Sequence, residues 1–394
     1  MKKLSFLLFF ACFALQTKAQ QITTATPFLL ISSDARAGGM GDVGVATSAD
    51  AFSIFHNPAK TVFNENKISI GLNYTPWLRN LTDDIFTGSG SYINRFSENA
   101  AWGADFKYFS LGQIDLTDSQ GNPNGIIKPN ELAVSGAYAL KLSETFSMGV
   151  SLKYLRSNLT LTGVSGTLQP INSFAVDVSG YYQSLEENYG NFNGRYRLGF
   201  NIANIGPKVS YVPGTDQDDF IPTNLKLGGG FDFILDDYNT ISTNVEFTKL
   251  LVPTPPMLGD EYNYTDTNGN GVYDDGVDTL GSKTRDDVII SGQSQDVSFL
   301  SGMFQSFGDA PGGFSEELKE FTWSLGAEYL YQDSFAFRAG YFNESEEKGA
   351  RKFLALGAGF KYNVVNIDLS YLFSASKVQS PLENTLRFSL TFNI

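Results

Sequence analysis

Apolar and polar side chains alternate with a period of two in fourteen segments of this chain, roughly 67–78, 85–96, 99–110, 131–142, 145–158, 171–184, 194–204, 222–235, 239–250, 320–332, 334–342, 350–362, 364–374 and 384–394. Such alternation gives a strand one face suited to an apolar medium and one suited to a polar medium. Phe146, Met148, Val150, Leu152 and Tyr154 alternate with Ser147, Gly149, Ser151 and Lys153. Val365, Ile367, Leu369, Tyr371 and Phe373 do so against Asn366, Asp368 and Ser370. The last segment sets Leu386, Phe388, Leu390, Phe392 and Ile394 against Arg387, Ser389, Thr391 and Asn393.

The connections carry as much information as the segments. Counted from the first strand, the odd connections are mostly long (111–130, 159–170, 205–221, 251–319 and 375–383). The even ones are mostly tight, near Ser97, Ser143, Asp237, Asp333 and Asn363, with 185–193 intermediate. Antiparallel strands put odd connections at one end and even ones at the other. Long loops outside and short turns on the periplasmic side are the pattern of outer-membrane barrels, whereas a soluble sandwich has no reason to sort them so. The expected fold is all-β: a fourteen-stranded antiparallel transmembrane β-barrel over 67–394, with a long extracellular loop over 251–319. Beyond the first residues no apolar run reaches about 18 positions, which excludes helical spans.

Composition agrees with this reading. Only 18% of residues are charged, while Gly (39), Phe (33) and Tyr (19) are abundant, which suits bending strands and interfacial aromatic girdles. Residues 1–19 read as a secretory signal peptide: Lys2 and Lys3, the apolar stretch Leu4 to Leu15, and a small-x-small site at Thr17-Lys18-Ala19. The single cysteine, Cys12, lies inside it, so the mature chain has neither disulfide nor thiolate chemistry. A net charge of −14 leaves no basic stripe for phosphates, so nucleic acid is not an expected partner.

Residues 20–66 do not alternate and are expected to form a short helical plug in the barrel lumen. Ser48 or Asp50 can cap one short helix, and Asn57 followed by Pro58 can start another. The Gly-rich stretch from Asp34 to Ala46, then Ser48 to Ala51, then Asn57-Pro58-Ala59, resembles the N-terminus of the long-chain fatty-acid transporter (FadL-like) barrels. With Asn73 to Trp77 and the acidic long loop added, the fuller match is similar to the PorV (LptO) family of the Bacteroidetes type IX secretion system. Ile394 departs from the aromatic residue that usually ends such barrels, and Phe392 is the nearest substitute.

Four motifs carry possible chemistry. Gly39, Gly41 and Gly44 have dinucleotide-fingerprint spacing, but no βαβ unit surrounds them, so they read as packing residues of the plug. His56 is the only histidine, so general-base or triad chemistry would have to run through it, and the chain reads as a non-enzyme. Asp266, Asn268 and Asn270 with Gly271 reproduce the front of a calcium loop, with the Val272 carbonyl next. Position twelve is Val277 rather than glutamate, and Asp278 is the substitute one residue late; an acidic surface turn is the competing explanation. Asp118 to Asn122 is a fainter echo in which Pro123 replaces the glycine. The same long loop holds Phe299, Leu300, Met303, Phe304 and Phe307, apolar side chains that must either cover the barrel mouth or dock onto a protein. The length of the loop favours a functional element.

Resemblance to the PorV family implies an outer-membrane protein that binds secreted cargo through its C-terminal signal domain and shuttles it to the attachment machinery. The implied partners are a SprA-type translocon, a PorU-type attachment component and outer-membrane lipid. FadL-like ancestry implies the alternative, a channel for hydrophobic small molecules. Such a channel needs an apolar lumen, and the inward residues expected here are largely Ser, Asn, Asp, Lys and Gly.

Overall fold

The computed structural model describes residues 22–394 except 78–81, 83, 119, 160–167, 213, 215–217, 270–272 and 377–384. The expected signal peptide therefore lies outside the described residues. Among the described residues, fourteen long strands form one closed sheet, to which the two-residue strand Glu187–Asn188 adds by pairing with Asn193 and Gly194. The first seven are β1 (Ile68–Pro76), β2 (Ile85–Asn94), β3 (Ala100–Leu111), β4 (Asn130–Lys141), β5 (Phe146–Asn158), β6 (Ile171–Gln183) and β7 (Asn193–Ile205). The second seven are β8 (Asn224–Ile234), β9 (Asn239–Leu250), β10 (Phe321–Tyr331), β11 (Phe335–Asn343), β12 (Lys352–Tyr362), β13 (Val365–Ser374) and β14 (Leu386–Asn393). Every expected segment is a barrel strand, with ends moved by no more than about two residues.

Each strand pairs antiparallel with the next, and β14 closes on β1 through Ile70 opposite Phe392, Leu72 opposite Leu390 and Tyr74 opposite Phe388. Closure leaves no unpaired edge, which is what permits a sheet to span lipid. Alternation sorts the two faces. On β5 and β6, Leu152 and Phe174 point outward, each 60% exposed, while Ser151, Asp177 and Ser179 are buried within. The regular ladder breaks once between β6 and β7, where the register shifts between Ile202 and Ile205. Asn204 takes a left-handed φ of 60° there, and its N–H donates to Asp177 Oδ1 at 2.7 Å. Bulges of this kind turn a strand locally and sit near rims.

The long connections are less plain than the sequence suggests. Residues Ile114–Thr117 and Pro123–Ile127 form a hairpin beyond β3, and Met257–Thr265 with Thr279–Ser291 form a larger one beyond β9. Both hairpins stand in water with nearly every residue exposed, so neither face needed an apolar alternation that a reader could detect. Two short helices follow the second hairpin, α3 (Phe299–Gln305) and α4 (Phe314–Lys319); they are numbered after α1 (Ala35–Gly39) and α2 (Ser53–His56) in the N-terminal segment.

Residues 25–64 lie against the inner faces of the strands. Helix α1 packs on β11, β12, β13 and β14, and the 3₁₀ turn Pro58–Phe63 packs on β3, β4, β5 and β6. The cap of that turn is Asn57, whose Oδ1 accepts from Ala59 N at 3.0 Å, with Pro58 at the first position. Asn57 Nδ2 donates to Val45 O and Gly180 O, so one amide joins two plug segments and the wall. Ser48 caps no helix; Asp50 Oδ1 accepts from Phe52 N just ahead of α2, while the Ser48 hydroxyl accepts from Arg36.

Candidate functional site

A polar inner wall invites a charged filler, and the filler is bonded to it. Arg36 on α1 joins Asp50 at 2.8 Å and Glu328 on β10 at 2.7 Å. Glu328 also receives Arg338 of β11 at 2.6 Å, and Arg338 reaches Asp368 of β13 at 2.7 Å. Arg387 on β14 pairs with Asp42 in the plug, and Glu246 on β9 accepts from the N–H groups of Gly44 and Val45. Buried ions are tolerated only when paired and hydrogen-bonded. A small cavity of about 60 Å³ beside His56 has a mixed lining, with Lys107, Lys153 and Lys226 facing Leu29, Ile31 and Phe55.

His56 is part of this packing. Its Nε2 lies 2.6 Å from Asp34 Oδ1, and Asp34 Oδ2 accepts from Ala37 N at the start of α1. Burial opposes the charge on Asp34, but the bond to His56 and the Ala37 N–H bring its carboxyl down to about 2. Burial, reinforced by Arg36 and Arg197 and opposed by Asp50 and Asp34, pushes the Lys60 ammonium down to about 8, where it donates to Gly44 O and Thr47 Oγ1. Gly44, the last glycine of the fingerprint, lies against the His56 ring so closely that a Cβ there would collide with it. The fingerprint is plug packing.

At the end of the barrel that carries the long odd loops, α3 and α4 form a different surface. Phe304 and Phe314 are each 77% exposed, with Leu300, Phe307 and Leu318 also exposed; Phe299 and Met303 are half-buried. Gly302 brings α3 onto Phe220 and Pro253, since a Cβ there would lie 2.9 Å from the Phe220 ring. The floor under the helices is ionic. Lys249, at the end of β9, donates to Glu317 at 3.1 Å and to Glu320 at 2.5 Å. Thr254 Oγ1 donates to Glu320 at 2.6 Å, Thr254 N to Asp309 Oδ2 at 3.0 Å, and Ala310 N to Glu317 at 2.8 Å. Lys348, in the β11–β12 connection, reaches Glu316 at 2.5 Å and Glu320 at 3.1 Å. Burial, together with the neighbouring Glu317 and Glu320, pushes the Asp309 carboxyl up to about 6.

Sequence reading found the apolar residues of α3 but not Phe314 and Leu318, nor the ionic floor. Phe314 and Leu318, four residues apart, carry the helical spacing of α4 in the sequence. In the proposed calcium turn, Asp266 Oδ1 accepts from Gly269 N and the Asn268 amide donates to Asp274. Asp278 accepts from the N–H groups of Thr267 and Asp274, and Asn270 and Val272 lie outside the described residues. The fainter echo is a turn device: Asp118 accepts from Gln120 N, Asn122 N and the Asn122 amide.

A closed fourteen-stranded wall with a lumen-filling N-terminal segment defines the class of FadL-like outer-membrane barrels. The Pseudomonas putida toluene transporter TodX has a similar fold, with a TM-score of 0.51 and 10% identity over 95% of this chain and 99% of that one. A Pseudomonas aeruginosa FadL homologue gives 0.44 and 11% identity, over 95% and 99%. At these identities the likeness concerns the fold alone. No curated protein matches the sequence. The family profile described as "Type IX secretion system protein PorV" matches residues 14–257, and the chain belongs to that family. It is an outer-membrane protein of the type IX secretion system.

Proposed function

We propose that this barrel receives secreted proteins through their C-terminal signal domain at a SprA-type translocon and hands them to a PorU-type attachment component. The observation that supports this reading is the ledge of Leu300, Phe304, Phe307, Phe314 and Leu318. These side chains sit on the long-loop side, where no lipid reaches them, and are held on a buried ionic floor. Family membership supplies the secretion system; the ledge supplies a surface for the cargo. Calcium at Asp266, Asn268 and Asp278 belongs to the same reading, as a stiffener of the hairpin tip.

The alternative, uptake of hydrophobic molecules, fits the toluene transporter neighbour but not the lumen. A conduit for such molecules needs apolar space, and the interior is crossed by the Asp50–Arg36–Glu328–Arg338–Asp368 chain of ions. Affinity purification from native membranes in mild detergent separates the two. Secreted proteins sharing a C-terminal domain should co-purify with the tagged barrel. Bound hydrophobic small molecules with no secreted protein would favour the channel instead.

A further inference from the structure

Under α3 and α4, Asp309, Glu317 and Glu320 each bring a carboxylate oxygen within 4.8 Å of the others, and all three residues are buried. Glu316 joins them through Lys348, so four carboxylates face two ammonium groups, Lys249 and Lys348. The shortfall is two positive charges. Asp309 is the residue left out: it is 1% exposed, its Oδ2 accepts from Thr254 N, and its Oδ1 is buried without a hydrogen-bond partner. Lys249 spends its ammonium on the two glutamates. A buried carboxylate oxygen with nothing to accept from is costly, and more so beside other anions.

We propose that a divalent cation, Ca²⁺ in preference to Mg²⁺, binds among Asp309, Glu317 and Glu320 and holds α3 and α4 against the barrel rim. One such ion supplies the two missing charges and a partner for Asp309 Oδ1. The donors are hard carboxylate oxygens set irregularly on α4, its end and the turn before it, an arrangement that suits the adaptable shell of Ca²⁺ better than the strict octahedron of Mg²⁺. The site is separate from the turn at Asp266 to Asp278 and independent of what docks on the ledge.

The test uses the full chain in mild detergent, stripped with chelator and titrated with calcium, with protease cleavage within 292–320 as the local readout. Calcium should protect this segment in the wild type. Asp309→Asn should shift the protecting concentration upward by about tenfold or more, because ligand charge sets calcium affinity. Ala at both Asp266 and Asp278 should leave that protection unchanged. Lys249→Met removes a competing cation and should make protection wholly calcium-dependent, restored on addition. If Asp309→Asn fails to give a heat-modifiable barrel, the Lys249→Met result decides. Wild-type cleavage indifferent to chelator, unaltered calcium protection in Asp309→Asn, or a Lys249→Met cap that calcium does not restore would each overturn the site.

Discussion

The barrel wall and the ledge on α3 and α4 expose the same kinds of side chain to different media. Leu152 and Phe174 on the wall stand 60% exposed, Phe304 and Phe314 on the ledge 77%. On the wall the exposed residues recur at every second position, and lipid covers them. On the ledge they follow helical spacing above a floor of carboxylates and lysines, where the medium is water. Exposure therefore reports a solvent only when the element and its place in the fold are known. The wall residues satisfy a bilayer, whereas on the proposed function the ledge residues meet a protein.

The largest effect that would separate the two belongs to the wall. Phe388→Arg, on the outer face of β14, should destabilise the barrel by about 2–4 kcal/mol near mid-membrane. The measurement is the urea midpoint of the heat-modifiable band after folding into vesicles. An unchanged midpoint would mean that this face of β14 does not meet lipid. The ledge should respond in the opposite sense. Phe304→Ser with Phe307→Ser should cost on the order of 2 kcal/mol in cargo association, yet move barrel stability by no more than about 0.5 kcal/mol. Quantitative co-purification beside the same unfolding assay reads both. If the barrel weakens while cargo is retained, the phenylalanines seal the mouth and the comparison fails.

A smaller effect concerns the hairpin tip. Replacing Asp266 and Asn268 by Ala should remove calcium-dependent protection of residues 257–291 from protease, while the cap at 292–320 stays protected. Chelator that leaves wild-type cleavage of the tip unchanged would reduce that turn to its internal hydrogen bonds. The smallest effect lies in the plug, which belongs to neither surface. Asp34 has its folded value lowered from 3.8 to about 2, so its contribution is present above about 4 and is lost as the pH falls through about 2. Plug release, followed as protease access to residues 25–64, should begin in that window, and Asp34→Asn should remove the pH dependence. Release at the same pH in that variant would assign the transition to other carboxylates.

The chain itself determined the number of barrel strands, their ends to within about two residues, and the sorting of long and short connections, though not the two exposed hairpins beyond β3 and β9. Each of these depends on neighbours two positions apart or on the length between segments, which are properties local to the sequence. It determined the motif at Asn57 and Pro58 for the same reason, since a cap is made by adjacent residues. It could not show that Asp50, Arg36, Glu328, Arg338 and Asp368 form one ionic chain, because register and closure bring together residues from α1, β10, β11 and β13. Nor could it distinguish Asp309 from the many other acids of the long loop. Only the fold buries that carboxylate beside Glu317 and Glu320 and leaves one of its oxygens without a partner. Charge is written in the sequence, but whether a charge is answered depends on distances that only the tertiary structure sets.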